Sequence, residues 1–478
     1  MSLGSIYNAY PNGRPSGLPT DIVDQLVQVK ELQLLTPIQQ DIQNEQARED
    51  NYTSLSSKLV DLYKAADEID TPSSFLTKTA TSSDENILTA DPSNTAHTGN
   101  YTVTVNNIAK AHHLIIGVDD GNSSNGVTQG ISNPDDADLI QDNMTLSFYH
   151  NGKEYSYTTD SQTTLTELAN EISEDDNGVY AQVTNIGTEE SPQYVLSLLS
   201  ETTGSGKNQI TTDSNGTTTG ITLSDDLFTT GATEQEDAQS GEDASLNVDG
   251  VDYTRSSNEI DDIIEGVTIN IKNTGTANIT VSLDIDDITN RVKSLVDAYN
   301  NFDQFMDENA SYDLEEKKAG ALLGDSIART AQNNIRSIVS GIVPDTADNA
   351  YQYLSQIGIE FNDDGQLTFD ENTFKNALNS NPDDVSALFT GENGIATRLK
   401  NAISSYTDSS SGIITKTIKS IKDKINDLND KYSEAQEDIQ DYEEQLVKKY
   451  SNLEEVVLKY KAIQEQLDSY IEMWKNIK

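Results

Sequence analysis

Toward its carboxy-terminal end the chain places apolar side chains at Ile414, Ile418, Ile421, Ile425, Leu428, Tyr432, Ala435, Ile439, Tyr442 and Leu446, in strictly alternating steps of four and three. That spacing keeps one seam on one side of a helix and predicts a coiled coil. The step from Leu446 to Tyr450 is again four, and Tyr460 to Ile463 is an extra three, before Leu467, Tyr470, Trp474 and Ile477 resume the alternation. Such stutters and stammers change the supercoil locally. Tyr at several seam positions brings hydroxyls that need water or a partner, so the contacts are expected to be looser and more exchangeable than those of a Leu/Ile zipper.

The other end is helical too. The first twenty residues are rich in Asn, Pro and Gly and predict a flexible leader, with Thr20 as a cap for the first helix. Ile22, Leu26 and Val29 then mark one helical face. Thr36-Pro37-Ile38-Gln39 reads as a fresh helix start, so a kink or break is expected near Thr36. Tyr52, Leu55, Leu59, Leu62, Ala66 and Ile69 form a narrow apolar stripe that calls for a helical partner.

Between about Thr71 and Asp286 the pattern changes to short alternating runs rich in Thr, Ser, Asn, Asp and Gly, which predicts strands. Tyr101–Val105 alternates cleanly. Leu146–Tyr149 and Lys153–Tyr157 flank Asn151-Gly152, and Leu246–Val248 and Val251–Tyr253 flank Asp249-Gly250, two dipeptides suited to tight hairpins. Each hairpin is succeeded by a polar patch and a short helical stripe: Leu165, Leu168 and Ile172 in one case, Ile260, Ile263 and Ile264 in the other. This weak repeat suggests one β module interrupted by a related one. Residues 288–406 return to helical spacing, with a hairpin around Asp364-Gly365. The expected fold class is α+β multidomain, a terminal α-helical coiled-coil stem with β-rich inserted head domains. Its divisions are 1–40 with 410–478 as the helical leg, 41–70 with 287–409 as a helical domain, 71–118 with 241–286 as a β-rich domain, and 119–240 as an inserted acidic β-rich head.

Charge and candidate chemistry narrow the function. The 478 residues carry 80 Asp and Glu against 31 Lys and Arg, a net charge of −49. Phosphate backbones and anionic lipid are poor partners for such a surface. No stretch approaches the ~20 apolar residues of a membrane span, and Met1 to Tyr10 lacks the charged and apolar regions of a signal peptide, so any export is expected to use another route. Residues 119–240 hold 22 acidic groups and two lysines, while 413–478 hold 14 acidic groups and 11 lysines. The mixed-sign helix can pack beside copies of itself; the acidic module resists close approach. There is no Cys. His112 and His113 are adjacent and would point to opposite faces of a strand, so they cannot share a metal, and a structural role is expected for all four histidines. Gly204-Ser205-Gly206-Lys207 lacks the first Gly and the Ser or Thr of a phosphate loop. Residues 360–371 imitate the spacing of a calcium loop, but Ile357, Ile359 and Phe361 alternate as a strand, which favours a hairpin. No catalytic residue, cofactor site or metal site is assigned.

The segment Tyr253–Ile269 (YTRSSNEIDDIIEGVTI) resembles the signature of the flagellar filament cap protein family, also called flagellar hook-associated protein 2. Gly320–Asp325, Leu354–Ile359, Asp364–Leu367, Asn381–Phe389 and Gly394–Leu399 occur in family order, and Ser16-Gly17-Leu18 and Leu26 to Ile38 are similar to its amino-terminal segment. The resemblance covers most of 14–118 and 241–478 and fades in 119–240. It implies a secreted protein that leaves through the type III export apparatus, forms a ring homo-oligomer at the distal tip of the flagellum, and promotes folding and insertion of flagellin. It implies oligomer or filament contacts at Ile22, Leu26, Val29, Ile414, Ile418, Ile421, Ile425, Leu428, Tyr432, Ile439, Tyr442 and Leu446. An export chaperone would contact Tyr450, Leu453, Val457, Tyr460, Leu467, Tyr470 and Trp474. The unusual acidity departs from the family pattern and predicts salt-dependent assembly. The other reading is a coiled-coil surface adhesin whose β head binds a host surface ligand.

Overall fold

A computed structural model describes residues 21–117, 130–229, 235–313, 318–344 and 351–475; the leader, its Thr20 cap and Ile477 lie outside them. In chain order come α1 (Asp21–Asp67), a single turn α2 (Pro72–Phe75), β1 (Lys78–Ser82), β2 (Leu88–Pro92), β3 (Gly99–Asn107) and β4 (Ala111–Ile116). After these stand β5 (Thr145–His150), β6 (Lys153–Thr158), α3 (Leu165–Glu174), β7 (Val179–Asn185), β8 (Tyr194–Thr203), β9 (Thr222–Leu223) and β10 (Gln235–Gln239). Next are β11 (Ala244–Val248), β12 (Val251–Arg255), β13 (Glu259–Ile264), β14 (Val267–Ile271), β15 (Gly275–Leu283) and α4 (Ile285–Ala310). The remainder is β16 (Tyr312–Asp313), β17 (Lys318–Ala319), α5 (Ser326–Ser340), β18 (Ile359–Phe361), β19 (Leu367–Phe369), α6 (Glu371–Ser380), α7 (Pro382–Phe389), α8 (Ile395–Thr407) and α9 (Ile413–Lys475). The α+β class expected from the sequence is the one observed. The chain divides into two compact units, 1–72 with 289–478, and 73–288.

In the first unit the stripe Tyr52, Leu55, Leu59, Leu62, Ala66 and Ile69 is fully buried, and α1 packs along both α8 and α9. The Tyr52 hydroxyl donates to Asp325 at 2.5 Å, so the polar tip of a buried ring is satisfied by the residue that also caps α5. Lys400 of α8 bridges Asp67 and Asp70 just past the end of α1. The 360–371 segment is a hairpin: Asn362 Oδ1 accepts the amides of Asp364 and Gln366, and Glu371 pairs with Lys293 at 2.9 Å. Asn300 of α4 clamps it, donating to the Leu367 carbonyl and accepting its amide.

Two sequence expectations fail here. Of the kink or break expected near Thr36, the break does not occur: helix α1 continues through Pro37. The missing N–H leaves the Gln33 carbonyl without its helical donor, but Gln33 and Pro37 are both exposed, so water can replace the bond while Leu34, Leu35 and Ile38 continue the buried side. The stripe Ile260, Ile263, Ile264 is strand β13, not a helix. It pairs with β14 through Ile260↔Ile269 and Ile264↔Val267, and the register shifts between those pairs. The irregularity breaks the two-residue alternation and leaves a spacing that imitates a helical turn.

The second unit has two cores. One joins β2, β3, β11, β13, β14 and β15 around Val103, Leu246, Ile269 and Ile279; the other joins β4, β5, β7, β8 and α3 around Phe148, Leu168, Leu196 and Phe228. Both predicted hairpins form. Asn151 and Gly152 have φ of 52° and 77°, Asp249 and Gly250 have 48° and 89°, the left-handed pair that matches strand twist. The predicted α3 also forms, with a Thr164/Glu167 capping box. Polar bonds stitch the chain where it passes between the cores. Lys110 and Glu242 exchange backbone hydrogen bonds of 2.8 and 3.1 Å and pair through side chains at 2.9 Å. Asn258 donates to the Ala109 carbonyl and accepts its amide, both at 2.8 Å, and Asp243 accepts the amide and hydroxyl of Ser205, both at 2.7 Å.

The Asn258→Ala substitution leaves a half-buried amide and carbonyl of Ala109 unpaired. We expect a loss of about 1–3 kcal/mol in urea unfolding. An unchanged midpoint would show that this bridge contributes nothing.

Asp303 of α4 is only 2% exposed. Burial, with the neighbouring Asp307 carboxylate, raises its pKa above the ordinary carboxylate value, although Gln332 and Arg336 oppose the shift. The folded state therefore holds the proton more tightly, and this group's contribution to stability is present at low pH and lost as pH rises through the folded pKa. Asp303→Asn should raise the melting temperature at pH 7 and make no difference below about pH 4; equal gains at both pH values would show that ionisation is not the cause.

Candidate assembly surface

The surface is built by the two ends of the chain. Helix α9 is one unbroken helix, and α1 lies antiparallel to it: Glu45 meets Lys424, Val27 packs with Ile439 and Leu446, and Val23 shares that cluster with Tyr450. Lys30 stands 5.7 Å above the Tyr442 ring. Ile414, Ile421, Ile425, Leu428, Ala435, Ile439 and Leu446 are buried, while Ile418, Tyr432, Tyr442 and Tyr450 are half-buried. The seam read from the sequence is thus the face that α9 turns inward.

On α1 the predicted face is displaced. Ile22 and Leu26 are half-buried, but Val29 is 50% exposed. Val27 is the residue that closes the contact, with Val23, Leu34 and Leu35. The signal was present, because positions 23, 27, 30 and 34 repeat at four, three and four, but Lys30 interrupts it with a charge whose stem can lie along the groove.

One polar cluster sits at the middle of the pair. Glu45 is buried, and its carboxylate accepts from Lys424 at 2.6 Å and Arg48 at 3.0 Å. Burial works against its charge, yet the Lys424 hydrogen bond and the Arg48 guanidinium outweigh it and hold the pKa below the usual value. Lys422 pairs with Glu49 at 3.4 Å. These pairs fix the register of the two helices in a way that apolar side chains alone would leave free.

Past Tyr450 no described residue of α1 pairs with α9. Leu453, Val456, Leu458, Ile463, Leu467, Tyr470 and Ile471 are exposed, Tyr460 is 69% and Trp474 79% exposed, and of the described apolar side chains there Val457 alone is half-buried. Six turns of helix therefore carry an apolar stripe with no apolar partner among the described residues.

The histidines are absorbed elsewhere. His112 Nδ1 accepts the Ile210 amide at 3.0 Å, so Nε2 carries the proton and donates to Asp237 at 3.0 Å, tying the exposed edge strand β10 to β4. His113, on the opposite face, bonds Ser197. His150 is buried between the Asn177 carbonyl and Ser200, and burial lowers its pKa. Among the described residues no group of His, Asp or Glu is arranged to hold a metal, and no helix is long and apolar enough to cross a membrane.

Profiles of the flagellar hook-associated protein 2 N-terminus and C-terminus match residues 16–112 and 241–462, together about two-thirds of the chain and in that order. The chain belongs to the flagellar hook-associated protein 2 family. The B-type flagellar hook-associated protein 2 of Pseudomonas aeruginosa is 26% identical over 421 residues, covering 83% of this chain and 84% of that protein. The flagellar hook-associated protein 2 of Aeromonas caviae is 22% identical over 465 residues, covering 94% and 95%. A crystal structure of the D1-D2-D3 domains of the Escherichia coli flagellar cap protein superposes with a TM-score of 0.62 at 25% identity, covering 78% of this chain and 99% of that one. Both family profiles include parts of the helix pair: the N-terminal one takes in α1, and the C-terminal one α9 to residue 462.

Ile439→Ala tests the pair. Removing three carbons from a buried seam position should cost about 2 kcal/mol or more, read as a lower urea midpoint, whereas Val29→Ala should be neutral within about 0.5 kcal/mol. The reverse order would mean that α1 is rotated relative to the pairing described.

Proposed function

We propose that this chain caps the distal end of a bacterial flagellar filament, where it acts as a homo-oligomer that promotes folding and insertion of arriving flagellin and prevents loss of monomers. Membership of the hook-associated protein 2 family supports this reading, and the observation that carries it at the level of residues is the apolar stripe from Leu453 to Trp474, which no described residue covers. A single folded chain gains nothing by exposing these side chains; a protein that docks into a helical fibre does. In this reading residues 1–40 and 410–478 supply the leg contacts with the filament. No catalytic step is needed, since the work is done by shape and by reversible helix contacts.

The same stripe supports the finer steps. The chain leaves the cell unfolded through the type III export apparatus, and an export chaperone covers Tyr450, Leu453, Val457, Tyr460, Leu467, Tyr470 and Trp474 until it does. After export the same side chains contact filament or neighbouring copies, so the two uses are separated in time. The working place is extracellular.

The test is complementation of a strain lacking its own copy of the gene. The full chain should restore filaments, while a variant ending at Tyr450 should fold with a melting temperature within a few degrees of the full chain yet leave flagellin unpolymerised in the medium. Full-length filaments in the deletion strain, with no free flagellin, would defeat the capping role. Normal filaments with the truncated chain would remove the stripe from the mechanism.

A further inference from the structure

Beside Glu45, helices α1 and α9 leave an open groove of about 380 Å3. Its lining includes Arg48, Lys416 and Lys424, with Ile421 as a buried floor and Ile413 as an exposed lip. The local charge runs against that of the chain. Residues 413–424 carry Lys416, Lys419, Lys422 and Lys424 against the single Asp423, in a protein of net charge −49. Lys422 and Lys424 are answered by Glu49 and Glu45, and Arg48 shares Glu45 with Lys424. Lys416 and Lys419 are exposed and have no ion-pair partner among the described residues. One buried carboxylate therefore serves two cations, and the groove keeps a surplus of positive charge above an apolar floor.

The ligand that fits is a carboxylate on a short aliphatic stem, as in a Glu or Asp side chain of another polypeptide. A phosphate group brings no aliphatic stem to lie on the apolar floor at Ile421. A second copy of this chain supplies the complementary charge in excess, with 80 carboxylates against 31 cations. We propose that this groove is a contact between copies, in which Arg48, Lys416 and Lys424 receive an acidic segment of the neighbouring copy. The proposal rests on the homo-oligomeric cap reading and names one surface through which chains that repel at long range hold together at short range.

The experiment compares sedimentation of the full chain with its Lys416→Glu and Lys431→Glu variants at 50 mM and 1 M salt. Both variants change net charge equally, and Lys431 lies fifteen residues along α9, about 22 Å away and beyond a screening length of roughly 14 Å at 50 mM salt. We expect Lys416→Glu to weaken self-association at least about tenfold relative to Lys431→Glu at low salt. The deficit should shrink to less than about threefold at 1 M, where the screening length is ~3 Å. Equal behaviour of the two variants, or a deficit that ignores salt while both melt like the unaltered chain, overturns the proposal. So does a Lys416→Glu protein that self-associates normally but no longer binds flagellin, which would give the groove to flagellin instead. The capping role fails separately, if the unaltered chain does not restore filaments to a deletion strain.

Discussion

The antiparallel contact between α1 and α9 is the constraint on which the rest of the first unit depends. It joins residues more than 400 positions apart, Val27 with Ile439 and Leu446, so forming it closes almost the whole chain into a loop. Loop-closure entropy grows only with the logarithm of length, which keeps so distant a contact within reach provided that it is specific. Specificity comes from two sources. The heptad seam supplies non-directional burial, and the pairs of Lys424 with Glu45 and Lys422 with Glu49 join α9 to α1 at one register. Slippage by one turn would take Lys424 away and leave the buried Glu45 carboxylate with Arg48 alone, three residues along its own helix, a loss of about 1–3 kcal/mol for the charged hydrogen bond. These ion pairs therefore set where along α9 the pairing lies, and among the described residues it reaches as far as Tyr450.

That end point gives the last part of α9 a different physical status from the first. Up to Leu446 each seam residue lowers the free energy of the isolated chain; beyond Tyr450 each exposes apolar area that no described residue covers. At net −49, copies repel one another at a distance. Association must instead proceed where geometry brings stripe and partner together, or where local charge is reversed.

Much of this was legible in the sequence because the long helices are regular. Steps of four and three from Ile414 to Leu446 leave no alternative to a helix, and Asn151-Gly152 and Asp249-Gly250 demand hairpins. The readings that failed did so where one local rule was offset by its surroundings. Pro37 removes a hydrogen bond, but on the wet side of a helix whose dry side is held by α9. Ile260, Ile263 and Ile264 have helical spacing only because a register shift interrupts a strand. Val29 looks like the next member of an apolar face, but Lys30 occupies the true groove over Tyr442, and a charged residue at a seam position is invisible to a search for apolar periods. The groove at Arg48 and Lys416 was illegible for another reason: it exists only when two segments more than 350 residues apart are brought side by side.

The same logic explains how the second unit can carry an additional core. The family profiles end at 112 and resume at 241, and the structure places the crossing hydrogen bonds of Lys110 and Glu242 at nearly those positions. Two chain segments that are neighbours in space can accept any folded module whose own ends lie close together, since no backbone on either side must move. The host core requires only that the junction be held. Asn258 does this from within the YTRSSNEIDD segment by taking both backbone groups of Ala109, and Asp243 does it from the far side by holding Ser205. All of these bonds are polar and none buries a large side chain, so the module is attached without sharing a core. Its sequence, including the 22 acidic groups between 119 and 240, is then free to diverge while β3, β11 and β15 keep their register. Recognition of the family from the flanking segments, and its fading between them, are two consequences of one junction.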